Sequence, residues 1–263
     1  KRSIRWNTMK ILAVGFLGVI LLGGVLLWLP VCNREPIAFI DALFTSVSAV
    51  CVTGLVTIVP ATQFTMLGKI ILLLLIQLGG LGIIACTMGV FLILRRQITV
   101  RSRVIIQETY NLNTMSGLVV MLKYVIKGTF VVEGIGALFY AFQFVPEFGF
   151  FRGVWYSVFH AVSAFCNAGI DILGETSLQV YQTNPLVNFV TMGLIVVSGL
   201  GFIVWQDLTR TARRIFKREY TVKRAIQKMR VHTKLTLCMT ILLVFGGALA
   251  FFLMEYKNPH TLG

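Results

Sequence analysis

Two short apolar segments of similar sequence constrain this chain more than any other feature. They read FTSVSAVCVTGLVTI from Phe44 and FHAVSAFCNAGIDIL from Phe159, and six positions are identical when the segments are aligned without a gap. The apolar helix expected in each copy, residues 39–50 and 154–165, would extend about 18 Å, whereas a bilayer core is about 30 Å thick. Each segment therefore fits a half-helix that enters a membrane and returns to the same side.

The composition around these segments indicates a membrane protein. Hydrophobic residues make up 57% of the chain and charged residues only 13%, about half the charged fraction of a soluble domain. Five apolar runs approach or exceed the roughly 20 residues that a membrane-crossing helix needs. They are residues 11–29, 70–94, 119–144, 186–205 and 235–254. The sequence thus predicts an all-α membrane protein with five spans and two re-entrant loops.

The distribution of positive charge predicts the orientation. Residues 1–10 carry 4 Lys and Arg, residues 95–127 carry 6 and residues 206–234 carry 10, together 20 of the 24 in the chain. Such a bias between alternate loops places the N-terminus in the cytoplasm. The net charge of +14 is therefore explained by topology and not by nucleic-acid binding. The basic stretch 210–234 would also suit anionic lipid or an acidic cytoplasmic partner.

The return leg of each segment suggests an ion path. Irregular backbone at membrane depth is tolerated only where it is buried in protein or lines a watery cavity. Backbone carbonyls that all face inward can replace the hydration shell of a cation, and glycine permits the backbone angles this requires. The predicted carbonyls belong to Cys51, Val52, Thr53 and Gly54 in the first loop (about 39–55) and to Cys166, Asn167, Ala168 and Gly169 in the second (about 154–170). The alternative is a loop that only seals a helix bundle.

The order of span, loop and span occurs twice in the same direction. The second spans also match, since Gly80-Leu81-Gly82 corresponds to Gly199-Leu200-Gly201. We therefore predict parallel repeats over residues 1–117 and 118–210, with residues 211–263 forming the basic segment and first span of a third, incomplete unit. The glycines of the second spans, Gly79 among them, are expected to let helices pack closely against the pore units, with a hinge as the alternative.

Three acidic residues are singled out by their positions. Asp171, two residues after Gly169, would lie at a pore mouth and attract cations, or would be an ordinary solvated loop residue. Asp41 is expected to stabilise the N-terminus of the first half-helix. Glu133 lies inside a span, where an acid usually pairs within the protein. We expect a structural hydrogen bond to a neighbouring half-helix or loop, with a place in the ion path as the alternative.

Catalytic motifs are not evident in the sequence. The cysteines and histidines lack metal-ligand spacing, and none of the three aspartates falls in the middle of a span. An enzyme is therefore not expected, and neither is a bound cofactor or a metal other than a transported ion. The chain also lacks a recognisable glycine-rich phosphate cradle.

At SAVCVTGL (48–55) and SAFCNAGID (163–171) the sequence resembles the Trk/Ktr/HKT superfamily of potassium transporters, in particular the KtrB-type membrane subunit of bacterial Ktr systems. The resemblance covers essentially the whole chain. It implies four units, each a pore helix (P) between two spans (M1 and M2), arranged as in a potassium channel. The chain would then correspond to the N-terminal half of such a subunit.

The same resemblance implies a function and partners. The subunit would conduct K⁺ in a bacterial cell membrane, as a homodimer on a cytoplasmic ring of nucleotide-binding RCK subunits. Gly54 matches a filter glycine that accompanies potassium selectivity in related plant transporters, and Na⁺ would be a candidate activator. A sodium-permeable relative and a non-conducting membrane anchor or assembly subunit are the alternatives.

Overall fold

The computed structural model describes residues 8–82, 118–218, 220–256 and 258. These residues form helices and turns, with one isolated bridge between Asn33 and Phe64 as the only β-type pairing described. The expected all-α class is confirmed for this part of the chain. In order, the helices are α1 (Thr8–Trp28), α2 (Phe39–Cys51), α3 (Pro60–Gln63), α4 (Met66–Leu81), α5 (Leu118–Phe148), α6 (Phe150–Phe165), α7 (Pro185–Gly199), α8 (Phe202–Phe216), α9 (Val222–Gln227) and α10 (Val231–Glu255), with 3₁₀ turns at Pro30–Cys32 and Ser177–Tyr181.

Two helices are long and apolar enough to cross a membrane by themselves in the described residues. They are the Lys123–Phe148 part of α5 and the whole of α10, and α7 with α8 would make a third if counted as one broken span. None of the most apolar stretch of α10 is buried within the chain. The apolar parts of α1 and α4 are shorter as described, and the predicted continuation of the second span over residues 83–94 lies outside the described residues.

Both predicted half-helices are present, and the second begins earlier than predicted. The first, α2, has 13 residues and begins at Phe39, as expected. The second, α6, has 16 residues and begins at Phe150, four residues before the predicted start, because the chain turns at Gly149 with φ of 80°. At about 1.5 Å per residue they extend about 20 and 24 Å, and each remains shorter than a bilayer core of about 30 Å.

The chain divides into two compact units, Lys1–Ile195 and Val196–Gly263. In the first, α2 packs against α1 and α4, while α6 packs against α5 and also reaches α4. The contact between α1 and α2 is close: the Ser46 hydroxyl donates to the Ile20 carbonyl at 2.8 Å, and a Cβ on Gly23 would lie 2.5 Å from Ser46 Oγ. The α5–α6 contact includes an edge-to-face pair of rings, Phe148 on α5 and Tyr156 on α6, with centroids 5.0 Å apart.

The second unit contains α8, α9 and α10. Asp207 on α8 accepts hydrogen bonds from the backbone amide of Arg230 at 2.9 Å and from the Thr233 hydroxyl at 2.8 Å. These bonds occupy donors at the start of α10, where the backbone amides have no helical acceptor. A buried carboxylate therefore fixes the beginning of α10 to α8.

Candidate functional site

The two loops after the half-helices have the same backbone conformation at equivalent positions. Val52 and Asn167, each one residue after the matched cysteine, both have φ of 58°. Gly54 and Gly169, two residues further on, have φ of 75° and 67°. Positive φ is uncommon outside glycine and unfavourable for a β-branched residue such as valine. Its recurrence at corresponding positions shows that the matched sequences specify a matched backbone.

One backbone hydrogen bond is repeated in both loops. The amide of Thr53 donates to the Ser48 carbonyl at 3.0 Å, and the amide of Ala168 donates to the Ser163 carbonyl at 2.8 Å. Each bond crosses the end of its half-helix and holds the first turn of the loop against the last turn of the helix. The half-helix and the loop therefore form one structural element in each copy.

The side chains of the two matched serines were not singled out by the sequence analysis. Ser48 Oγ accepts from the Thr53 hydroxyl at 3.0 Å, whereas Ser163 Oγ donates to the Ile170 carbonyl at 2.5 Å. Both serines are buried, and each hydroxyl forms a hydrogen bond that holds its own loop against the half-helix. Their identity at corresponding positions of the two segments was the available signal.

The two loops meet at their glycines. A Cβ on Gly54 would lie 2.8 Å from the Ala168 carbonyl oxygen and 3.5 Å from the Gly169 Cα, and a Cβ on Gly169 would lie 3.6 Å from the Gly54 Cα. The first of these distances is too short for a real Cβ contact with a backbone atom. Close approach of the loops therefore requires glycine at position 54.

The predicted filter residues differ in exposure between the loops. In the first loop Cys51 and Thr53 are exposed, and Val52 and Gly54 are half-buried. In the second, Asn167 and Gly169 are exposed, whereas Cys166 and Ala168 are buried. The structure thus brings Gly54, Ala168 and Gly169 into contact. The other five lie next to them along the chain, with Cys51 as the last residue of α2.

A pair of glycines on α4 lies between the two copies. A Cβ on Gly79 would collide with the Val50 carbonyl oxygen at the end of α2, and a Cβ on Gly80 would collide with the Cys166 side chain. Neighbouring positions of one helix therefore contact the first half-helix and the second loop. The expected packing role is found at both glycines.

The matched glycines further along the predicted second spans do not pack closely, and two of them have positive φ. Gly82 and Gly201 have φ of 81° and 82°, and a Cβ on either, or on Gly199, would meet no described atom within 4 Å. The Gly82 amide donates to the Gly79 carbonyl and the Gly201 amide to the Ser198 carbonyl, at 3.1 and 3.3 Å. Close packing is therefore not observed at these three. The predicted span 186–205 is also not one helix, because the backbone leaves helical geometry at Gly201 between α7 and α8.

The buried acid on α5 pairs with a side chain on α4. Glu133 on α5 is 5% exposed, and its Oε1 accepts from Gln77 Nε2 on α4 at 2.9 Å. A structural hydrogen bond was expected, and one is present. Its partner lies on α4 and not on a half-helix or loop, so this part of the expectation is wrong.

The two remaining acids occupy local turns. Asp41 lies in the first turn of α2, as predicted. Asp171 is half-buried, and its Oδ1 accepts from the Leu173 amide at 3.1 Å, so at least one carboxylate oxygen stabilises the turn that follows the second loop. The described residues hold no group of three or more His, Cys, Asp or Glu side chains arranged to bind a metal.

Comparison with known proteins gives a consistent result. A sequence profile of the TrkH family, described as "Cation transport protein", matches residues 7–257. The chain is 41% identical over 260 residues to the potassium/sodium uptake protein NtpJ of Enterococcus hirae, covering 98% of this chain and 54% of that protein.

Two further relatives have names that refer to potassium uptake. The Ktr system potassium uptake protein B of Bacillus subtilis is 36% identical, with 99% of this chain and 56% of that protein covered. The protein of the same name from Vibrio alginolyticus is 35% identical, with 97% and 53% covered. The chain thus spans about half the length of the curated relatives it matches.

Proposed function

The chain belongs to the TrkH family of cation transport proteins, and from that premise we propose that it forms part of the pore wall of a potassium-uptake subunit. The main observation behind this proposal is that two loops of matched backbone conformation meet at Gly54 and Gly169. An ion that has lost its hydration shell needs several oxygens converging from different parts of the chain. Two equivalent loops in contact are an arrangement that can supply them.

The half-helices support cation binding electrostatically. α2 ends at Cys51 and α6 at Phe165, each directly before its loop. A helix C-terminus carries a partial negative charge equivalent to about half an electron. Two C-termini beside the same loops therefore favour a cation there without a carboxylate, which suits a site that must release its ion quickly.

The complete pore is proposed to need more loops than the two described. The relatives are about twice as long as this chain, and the resemblance to the superfamily implies four units. On this proposal residues 1–117 and 118–210 are the first two units. A filter built by Cys51–Gly54 and residues 166–169 would supply half of the coordinating carbonyls, and Asp171 would lie beside its outer mouth.

Selectivity for K⁺ is proposed from Gly54, which matches a filter glycine that accompanies potassium selectivity in related plant transporters. One relative is named as a potassium/sodium uptake protein, which keeps a sodium-permeable pore, or activation by Na⁺, as the alternative within this class. These two alternatives predict different effects of added Na⁺ on Rb⁺ uptake. A sodium-permeable pore predicts that Na⁺ lowers Rb⁺ uptake by competition, whereas activation by Na⁺ predicts that Rb⁺ uptake rises.

The proposed setting is a bacterial cell membrane with the N-terminus in the cytoplasm. The supporting observation is the clustering of 20 of 24 Lys and Arg in alternate loops. A homodimer and a cytoplasmic ring of nucleotide-binding RCK subunits are proposed as partners on the resemblance to Ktr systems. An enzymatic function is set aside, since the family is one of transport proteins.

The competing function is a membrane anchor or assembly subunit whose loops only seal a bundle. The two separate in a Rb⁺ uptake assay of the complete subunit, in cells without their own potassium uptake. Gly54→Ala introduces a Cβ against the Ala168 carbonyl, whereas Gly174→Ala introduces one where no described atom lies within 4 Å. At equal membrane abundance, conduction predicts loss of uptake in Gly54→Ala only. Equal uptake by wild type and both variants would support the anchor function.

A further inference from the structure

The basic segment of the second unit encloses a positively charged recess. It has a volume of about 180 Å³ and lies among α8, α9 and the first residues of α10. Four cationic side chains line it: Arg210 and Arg214 from α8, Lys228 after α9, and Arg230 before α10. We call this the basic recess. Neither loop of the proposed filter contributes to it, so it requires its own explanation.

Little negative charge balances these side chains within the recess. Asp207 is the only acid among the described residues that line it. Asp207 Oδ2 is already occupied by the Arg230 amide and the Thr233 hydroxyl, at 2.9 and 2.8 Å. One carboxylate engaged in anchoring α10 cannot neutralise four cations. The recess therefore has a surplus of positive charge and donor groups.

Cationic side chains lie close to the ring of Tyr220 at one side of the recess. Lys228 Nζ lies 4.4 Å from the centroid of the Tyr220 ring, and the guanidinium carbons of Arg214 and Arg224 lie 5.6 and 5.9 Å from it. Lys228 also donates to the Tyr220 hydroxyl at 3.0 Å. That hydrogen bond and the neighbouring charges lower the pKa of Tyr220. Cations held this close repel one another, so an anion between them would be stabilised.

The position of the recess along the chain points to the membrane surface. Arg230 directly precedes Val231, the first residue of the apolar helix α10. Apolar side chains also lie exposed on the same segments, with Phe216 92%, Val222 54% and Ile226 50% accessible. Basic and apolar side chains mixed at the end of a span are typical of the interfacial zone of a bilayer, where lipid phosphates lie. Basic pockets at this depth bind anionic lipid headgroups.

We propose that the basic recess binds a phosphate group, with the headgroup of an anionic phospholipid as the favoured source and a soluble phosphate compound as the other. The proposal goes beyond potassium conduction, and only the side of the membrane rests on the orientation proposed above. Arginine suits this ligand because its guanidinium can form two parallel hydrogen bonds with phosphate oxygens. A bound headgroup would hold α8 and the start of α10 together at the membrane surface.

The alternative is that these charges only determine topology and bind phosphate no better than other basic residues of α8. A matched pair of double variants separates the two. Arg214→Gln/Lys228→Gln removes two charges from the recess. Arg213→Gln/Lys217→Gln removes two exposed charges, one in the last turn of α8 and one directly after it, that do not line the recess. Net charge changes equally, so a difference between the variants reports the recess itself.

The test measures binding to the complete subunit, purified in a neutral detergent, at constant ionic strength. The probes are short-chain phosphatidylglycerol, short-chain phosphatidylcholine and inorganic phosphate, and the readout is the ligand-dependent rise in unfolding temperature. We expect saturable binding of phosphatidylglycerol that is about tenfold or more weaker in the recess variant but close to wild type in the control. Phosphatidylcholine, which carries no net charge, should bind weakly.

Each outcome has a defined meaning. Phosphatidylglycerol binding that depends on the recess while inorganic phosphate has little effect identifies a lipid site. Recess-dependent binding of inorganic phosphate with equal strength identifies a soluble phosphate compound as the source. Equal weakening in both double variants, or the absence of saturable binding in wild type, would overturn the proposal. Because the readout is binding, none of these results depends on whether the subunit conducts potassium.

Discussion

The two loops of the first compact unit have the same backbone path but different supports. Val52 and Asn167 both have φ of 58°, and each loop repeats the hydrogen bond to the matched serine carbonyl. The serine hydroxyls diverge, since Ser48 accepts from a neighbouring side chain while Ser163 donates to the Ile170 backbone carbonyl. Exposure also differs, with Cys51 exposed and Cys166 buried. The shared features are those that set the direction of the backbone.

The shared backbone and the different side-chain contacts indicate which property of the loops would bind an ion. Ion coordination by carbonyls depends on the backbone path, whereas many side-chain arrangements can support one path. Two copies with separate supports can keep the same backbone only if the identical residues act on that backbone. The serine carbonyls and the glycines therefore set the direction of the backbone in both loops, whereas the remaining contacts are local packing.

The largest expected effect separates the two glycines. Gly54→Ala should lower Rb⁺ uptake by the complete subunit about tenfold or more, because positive φ costs alanine about 1–2 kcal/mol and its Cβ would also collide with the Ala168 carbonyl. Gly169→Ala carries the same backbone cost, but its nearest described contact is 3.6 Å away. Its loss of uptake should be smaller. Equal losses of uptake would mean that the close approach of Gly54 to the Ala168 carbonyl has no effect on uptake.

A smaller effect separates the two serines in stability. Ser163→Ala removes the donor to a buried backbone carbonyl, and an unsatisfied buried group costs about 1–3 kcal/mol. Ser48→Ala removes a bond to Thr53, whose exposed side chain can turn to other partners, so the cost should be about 0.5–1.5 kcal/mol. The unfolding temperature of the purified complete subunit should therefore fall further in Ser163→Ala. The reverse order would contradict the different supports described here.

The smallest effect concerns the hydrogen bond between α4 and α5. Glu133→Gln keeps an oxygen that can accept from Gln77 Nε2 and should leave the unfolding temperature near that of wild type. Glu133→Leu removes the acceptor and should cost about 0.6–2 kcal/mol, as hydrogen bonds between membrane helices do. A strong loss of uptake in Glu133→Gln with unchanged stability would instead place Glu133 in the ion path.

The sequence contained enough to predict the loops but not the breaks in the spans. The half-helices and the glycine positions followed from matched residues and from lengths too short to cross a bilayer. The break at Gly201 was missed because the apolar run continues through it, and hydropathy carries no information about a backbone angle. Gly82 and Gly201 were assigned to packing, with a hinge as the alternative, because glycine permits both close contact and positive φ. The earlier start of α6 similarly depends on φ at Gly149.

The basic segment shows a similar limit. Its charge was evident in the sequence, and topology explained the total. The enclosure of four cations around Asp207 and Tyr220 could not be predicted, because it depends on how α8, α9 and α10 fold against one another. A count of charges gives the orientation of a membrane protein, whereas a binding site requires their arrangement.

The position of the ion itself would test most directly whether the two loops belong to one filter. Crystals of the complete subunit grown with Rb⁺ would show the ion by its anomalous scattering. If the two loops are equivalent parts of one filter, Rb⁺ density should lie beside the carbonyls of both Cys51–Gly54 and residues 166–169. Density beside only one loop, or density elsewhere in the protein with none at either loop, would contradict the account.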